Sequence, residues 1–349
     1  MIRAADANED SIARRQPMHL HRIWRPDRFA ARDRINSPLL RMASVALAAM
    51  FLAMSTASAD ESDPNVDLTI EVPKRAESAQ RDLTSLWEWR DKGLQKKLEA
   101  AMHRIGLTEA LESGRLSVAL VDITDHRRPR VSAINGDKMF YAASLPKIIV
   151  MLAVFEKAEA GELTIDQETH EQLYRMIRIS SNSDSTALMQ KVGKKYIADL
   201  VRSPRYLLYD PSHNGGLWAG KDYASRGLWR RDPLHNLSHG ATTMQIARFF
   251  YLLEVGKLVT PQASREMKQI LERKGDGTRF VKGFRQVQPD AKIHRKGGTW
   301  RNFHADAALV VRPDGATFIA AGLSESEHGR AWLTKIAIAM DGLIESPSP

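Results

Sequence analysis

The stretch Ser144-Leu145-Pro146-Lys147-Ile148-Ile149-Val150-Met151-Leu152-Ala153-Val154-Phe155 decides how this chain is read. From Ile148 to Phe155 it is apolar all round, which predicts a helix buried on every side rather than one lying on a surface. Pro146 suits the first turn of a helix, where its missing N–H would have no partner anyway. Ser144 then falls at the helix N-terminus, where the dipole favours developing negative charge, and Lys147, three residues on, shares its face. A lysine at a buried site loses its proton readily and can act as a general base on the hydroxyl. A serine cap with a solvated lysine has the same spacing, and about one S-x-x-K is expected by chance in a chain this long. The buried helix tips the balance, because it puts the serine inside the protein.

Two further segments carry chemistry. In Ser180-Ser181-Asn182 a second hydroxyl can relay a proton to a leaving nitrogen, and the asparagine amide can hold a substrate amide by both ends. Plain helix capping by serine and asparagine is the alternative. In Lys296-Gly297-Gly298-Thr299-Trp300 paired glycines after an edge strand let a substrate backbone lie alongside, and Lys296 offers charge to a carboxylate. A backbone N–H here, that of Thr299, can join the N–H of Ser144 in an oxyanion hole. By itself this segment reads as a glycine turn with a surface lysine.

Around these segments, apolar periodicity predicts a helix over residues 83–104 and strands over 116–123 and 130–135. A helix-rich middle follows over 145–273, with one helix face at Ile246, Phe249, Phe250 and Leu253. Strands return over 291–294, 305–311 and 317–323, the last two joined by a Pro313-Asp314-Gly315 turn, and a closing helix spans 331–344. Strands at both ends with helices between predict one sheet built from both termini and a helical lobe inserted.

The three segments, in this order, resemble the S-x-x-K, S-D-N and K-[ST]-G motifs of class A β-lactamases and the related penicillin-binding proteins. Residues 156–166, 176–193 and 296–315 are similar to family stretches in matching places, so the resemblance covers roughly 106–344. It implies an α/β fold of the β-lactamase/transpeptidase kind, an antiparallel sheet flanked by helices plus an all-helical lobe, with the site between them. It implies Ser144 as acylated nucleophile, Lys147 as its base, Ser180 as proton shuttle and Lys296 as the cation for the substrate carboxylate and shuttle hydroxyl. Asn182 takes the substrate amide, Gly298 lies along the substrate edge and Thr299 completes the oxyanion hole. The implied partner is a β-lactam, opened by hydrolysis, or a peptidoglycan stem peptide. No cofactor or metal is implied, and the chain is taken as a monomer.

Three positions depart from the family pattern. Ser181 stands for the usual aspartate, a position more structural than chemical. Gly297 stands for the usual serine or threonine, removing a hydroxyl worth about 1 kcal/mol to carboxylate binding. Class A enzymes hydrolyse the acyl-enzyme with a glutamate on a loop after the second motif, yet no glutamate lies between Glu171 and Glu254. The acids of the corresponding loop, 203–240, are Asp210, Asp222 and Asp232, for which turn and surface roles are the default. Without that base an enzyme acylates and then deacylates slowly, as a penicillin-binding D-Ala-D-Ala-type peptidase or a non-turnover sensor does. Other candidates carry less. His235 and His239 sit four apart without a third metal ligand, His304 and Asp306 alternate on a strand, and Trp218, Tyr223 and Trp229 suit loop packing as well as a glycan groove.

Composition narrows the classes. The chain has no cysteine, which excludes disulfides and thiolate chemistry. Of its net charge of +9, residues 1–41 carry +4, so the remainder is too mildly basic to suggest nucleic-acid binding. Residues 42–54 (MASVALAAMFLAM) follow Arg41 as a short uncharged apolar run, and Ser55-Thr56-Ala57-Ser58-Ala59 gives an A-x-A-like site. This order is that of a secretory signal peptide cleaved after Ala59, with translation starting at Met1, Met18 or Met42. The expected plan is an extension and signal peptide over 1–59, a polar tether over 60–82 and a serine hydrolase domain over 83–349. The mature protein is then periplasmic or secreted and has no membrane span.

Overall fold

The computed structural model describes residues 85–224 and 230–347. The signal peptide and its cleavage site, the alternative starts, the tether and Trp229 lie outside the described residues.

The described residues form ten α-helices and eleven strands. In chain order these begin with α1 (Lys92–Arg104), α2 (Thr108–Glu112), β1 (Leu116–Asp122), β2 (Arg130–Ile134) and β3 (Phe140–Tyr141). Then come α3 (Lys147–Glu159), α4 (Gln167–Arg178), α5 (Asn182–Val192) and α6 (Lys194–Arg202). A loop region holds the short strands β4 (Tyr209–Asp210), β5 (Gly215–Gly216), β6 (Trp218–Ala219) and β7 (His239–Ala241). The chain continues with α7 (Thr243–Glu254), α8 (Pro261–Leu271), β8 (Glu272–Arg273) and α9 (Phe280–Val287). It ends with β9 (Lys292–Trp300), β10 (Phe303–Val311), β11 (Thr317–Glu325) and α10 (Gly329–Asp341).

The main sheet is antiparallel, in the order β2-β1-β11-β10-β9-β8. β1 pairs with β11, Leu116 opposite Ser324, so strands from both ends of the chain do meet in one sheet. Alternation along the strands separates two cores. Ala119, Val121, Ala307, Leu309, Ile319 and Ala321 face the helical lobe. Val118, Leu120, Ala308, Val310, Phe318 and Ala320 pack under α1, α9 and α10. Every residue of α3 from Lys147 to Phe155 is buried, with α4, α5, α6 and α8 around it. Among the described residues no helix is long and apolar enough to cross a membrane.

Two boundaries differ from expectation. The first helix does not run through 83–104: a 3₁₀ turn at Leu86–Trp89 ends at Arg90, which bridges Val131. Asp91 then starts α1 by accepting from the Leu94 N–H at 2.7 Å. The third motif does not follow an edge strand as a glycine turn. β9 runs straight through it to Trp300, because Gly297 and Gly298 pair in register with Asp306 and Ala305 of β10. Beyond His294 the outer edge of β9 has no strand beside it among the described residues.

Candidate active site

Helix α3 begins at Lys147, with Pro146 in the cap position and no side chain capping it. Ser144 therefore lies in the turn ahead of the helix and does not serve as a cap. This turn is pinned by the Ala142 N–H donating to His239 O at 2.9 Å, and Ala143 takes a left-handed φ of 50°. An L residue rarely adopts that conformation, and the strain presents Ser144 at the sheet edge.

Lys147 is fully buried. Its Nζ donates to Ser180 O at 2.6 Å, Asn182 Oδ1 at 2.8 Å and Ser181 O at 3.2 Å. Those acceptors come from the joint between α4 and α5, where Ser180 has φ 62° and Ser181 caps α5 through the Asp184 N–H at 3.3 Å. The cap gives Ser181 its own structural task, while Ser180 points its hydroxyl into the cleft. Burial lowers the Lys147 pKa to about 7, opposed by the Asp184 carboxylate. Asp184 itself is held by a two-point pair with Arg175, at 2.9 and 3.1 Å.

The Ser180 Oγ also lies 3.0 Å from Lys296 Nζ and 3.5 Å from Lys147 Nζ, so two amines from distant segments meet at one hydroxyl. Lys296 is pushed well below the ordinary lysine range, by burial first and by Lys147, Arg295 and Arg279 next. Gly298 faces the turn before α3. A Cβ there would collide with Ala142 O and come within 2.6 Å of the Ser144 nitrogen. Only glycine lets β9 approach the nucleophile turn this closely.

Gly297 has a different reason. Its strand partner Asp306 is fully buried and paired with Arg295 Nε and, at 3.4 Å, with Arg279 Nε. A Cβ at position 297 would run into the Arg295 guanidinium and sit 2.8 Å from Asp306 Oδ1. The missing hydroxyl is thus the consequence of a buried ion cluster that occupies its space. The cluster extends to the cleft, since Arg279 Nη1 donates to Gly298 O at 3.2 Å and to Thr299 Oγ1. Gly297→Thr, which restores the family residue, is expected to destabilise the fold by about 1–3 kcal/mol through overpacking; urea unfolding measures it. An equally stable variant would show that the cluster yields easily.

Ser144, Asn182 and Thr299 line both halves of a single cleft. One half, about 360 Å³, adds Ser180, Lys296, Gly297, Gly298 and four arginines. The other, about 470 Å³, adds Tyr141, Lys221, Asp222, Tyr223, His239 and Trp300. A larger cavity, about 810 Å³, lies beside α7 and α8 around His126, Glu254 and Lys268, and none of the three motifs reaches it.

The remaining candidates separate. Asp222 lines the cleft but is paired with Lys194 at 2.7 Å. Asp232 is buried, accepting from Tyr209 Oη and three backbone N–H groups, and Asp210 caps the turn at Ser212. His235 bonds to Asn214 on the surface, whereas His239 is buried and stacked on Tyr223 at 4.3 Å. Trp218 is buried and donates to Arg230 O, so it lines no groove. His304 Nδ1 lies 3.3 Å from Thr299 Oγ1. Tyr223 matters more than its sequence position suggests: its ring centroid is 4.4 Å from Lys147 Nζ. Nor does the sequence pattern single out Arg279 and Arg295, although Arg295 stands next to Lys296.

Comparisons with known proteins give a family and a fold. A model of the β-lactamase enzyme family matches residues 94–172 and 170–340. A sequence comparison with curated proteins gives no match. Among solved structures, a β-lactamase from Sphaerobacter thermophilus DSM 20745 is 20% identical, covering 70% of this chain and 95% of that one, with a TM-score of 0.53. A variant of the last common ancestor of Gram-negative bacteria class A β-lactamase is 19% identical over 72% and 97%, with a TM-score of 0.54. PBP-A is 15% identical over 72% and 95%, with a TM-score of 0.53. At these identities the structures establish the fold alone.

Proposed function

Since this chain belongs to the β-lactamase enzyme family, we propose that it is an exported serine hydrolase that opens β-lactam rings through an acyl-Ser144 intermediate. The observation that carries this reading is the meeting of Lys147 and Lys296 at the Ser180 hydroxyl, at 3.5 and 3.0 Å, in the cleft that Ser144 lines. Export rests on the signal-peptide pattern of residues 42–59.

Neutral Lys147 takes the proton of Ser144 as its Oγ bonds to the substrate carbonyl. The backbone N–H groups of Ser144 and Thr299 stabilise the oxyanion. The C–N bond then breaks, and Ser180 hands a proton to the departing nitrogen and regains one from Lys147, the proton that Lys147 took from Ser144. Lys296 draws the substrate carboxylate, with Arg279 beside Thr299, and Asn182 orients the amide. Water finally cleaves the ester and frees Ser144.

A second reading concerns that last step. Around Lys147 Nζ stand two carbonyls, one amide oxygen, the Ser180 hydroxyl and an aromatic ring, and no described carboxylate forms an ion pair with it. This favours a long-lived acyl-enzyme, the behaviour of a D-Ala-D-Ala-type peptidase or a non-turnover sensor. PBP-A in a variant form is an acyl-enzyme complex with penicillin G. The mass of the protein after incubation with benzylpenicillin tests both readings. An adduct on wild type that is absent from Ser144→Ala supports acylation, and its decay with multiple turnovers supports hydrolysis; no adduct at all rejects the proposal.

Acylation should also follow the Lys147 proton. With a pKa of about 7 set by burial, the reactive neutral amine dominates above that pH. Below about pH 7 the acylation rate is expected to fall about tenfold per pH unit, levelling off above it. Rates of labelling by fluorescent penicillin between about pH 5 and about pH 9 check this. A profile flat through neutrality would exclude Lys147 as the base.

A further inference from the structure

The smaller half of the cleft is lined by Arg178, Arg279, Arg295, Lys296 and Arg330, and by no carboxylate. Among the described residues, the one acid in an ion pair with any of these five is Asp306, buried beneath Arg279 and Arg295. One acid against four guanidinium groups and the Lys296 amine leaves a large excess of positive charge and donors in a small volume. Arg279 Nε is buried with only its 3.4 Å ion pair to Asp306, and two further guanidinium nitrogens, Arg178 Nε and Arg295 Nη2, are buried without a hydrogen-bond partner. Buried donors are nearly always paired, so these last two stand ready for an acceptor that arrives from outside. Arg178, the last residue of α4, is braced over the Tyr174 ring at 4.9 Å, while Arg330 approaches from the opposite element at the start of α10. A solvated charge run would neither bury its nitrogens nor converge from two separate elements.

We propose that this half of the cleft binds a dicarboxylate: one carboxylate at Lys296 and Arg279, and a second between Arg178 and Arg330. The inference rests on the functional reading above for the first carboxylate only. It narrows the substrate class to β-lactams or stem-peptide amides that carry two acidic groups on the side of the reacting carbonyl facing β9. Bidentate guanidinium recognition suits a planar carboxylate and adds direction to the charge.

Calorimetric titration of the full chain with succinate and with acetate, at one ionic strength, tests it. Succinate is expected to bind at least about tenfold more tightly than acetate, the effect of one further charge-assisted contact. Arg178→Gln and Arg330→Gln should each reduce that preference, with thermal melts confirming that both variants fold. Arg330 is exposed, so its replacement is the safer for folding. Equal affinities in wild type, or a preference that survives in both variants, overturn the proposal. Should benzylpenicillin leave no adduct while the succinate preference holds, the acyl-enzyme reading fails and the dicarboxylate site stands.

Discussion

Lys147→Gln is expected to slow labelling of Ser144 by fluorescent penicillin by roughly 10²- to 10⁴-fold, the usual worth of a general base. Glutamine keeps an N–H donor for Ser180 O, the closest acceptor of Lys147 at 2.6 Å, so the joint between α4 and α5 retains a tie. It has no basic lone pair, so the proton of Ser144 loses its destination. Charge balance survives as well, because Asp184 is already paired with Arg175. The comparison is single-turnover labelling of wild type, Lys147→Gln and Ser144→Ala, with circular dichroism to show that each is folded. Labelling of Lys147→Gln at the wild-type rate would remove Lys147 from the mechanism. Labelling that persists in Ser144→Ala would remove the nucleophile.

Those features that local pattern dictates were legible in the sequence. The eight-residue apolar run from Ile148 to Phe155 reads as a buried helix because Pro146 and the Ser144–Lys147 spacing start one ahead of it, and a helix is what forms. Short apolar runs bounded by turn residues revealed the strands on both sides of the helical middle, and Gly315, at φ 88°, marks the turn between β10 and β11. Features set by distant partners were not legible. Gly297 and Gly298 read as a turn because glycine weakens strands, yet β9 passes through both. The reasons are the Arg295–Asp306 pair and the Ala142–Leu145 turn, neither of which local propensity can see. Asp222 had only a default turn or surface role in the sequence, and its actual partner, Lys194 on a separate helix, is set by the fold. Tyr223 looked like loop packing, and in one sense it is, since it stacks on His239. That same stacking sets its ring over Lys147, and only the folded chain reveals it.

Tyr223→Glu is expected to convert a persistent acyl-enzyme into one that turns over, speeding deacylation by at least about tenfold and up to the full range of general-base catalysis. The ring centroid lies 4.4 Å from Lys147 Nζ and the hydroxyl 3.4 Å from Ala143 O, next to the nucleophile. A carboxylate at this position stands between the amine and the ester, where a hydrolytic water needs an acceptor. The groups already present serve poorly. Asp222 is tied to Lys194, and His239 is held to a pKa of about 3, by burial first and then by Lys147, which makes it a feeble base. The exchange forfeits the stacking on His239 and the contact with Lys147, together about 1–3 kcal/mol of stability. It also carries a signature that mere loosening of the loop would not produce. A new anion beside Lys147 favours its protonated form, so the pKa rises above 7 and acylation at neutral pH slows while deacylation quickens. Mass spectra through a benzylpenicillin time course follow both rates. If wild type never accumulates an adduct because it hydrolyses faster than it acylates, a base other than these residues is at work. If the Tyr223→Glu adduct lasts as long as that of wild type, what limits deacylation is not the lack of a carboxylate at Lys147.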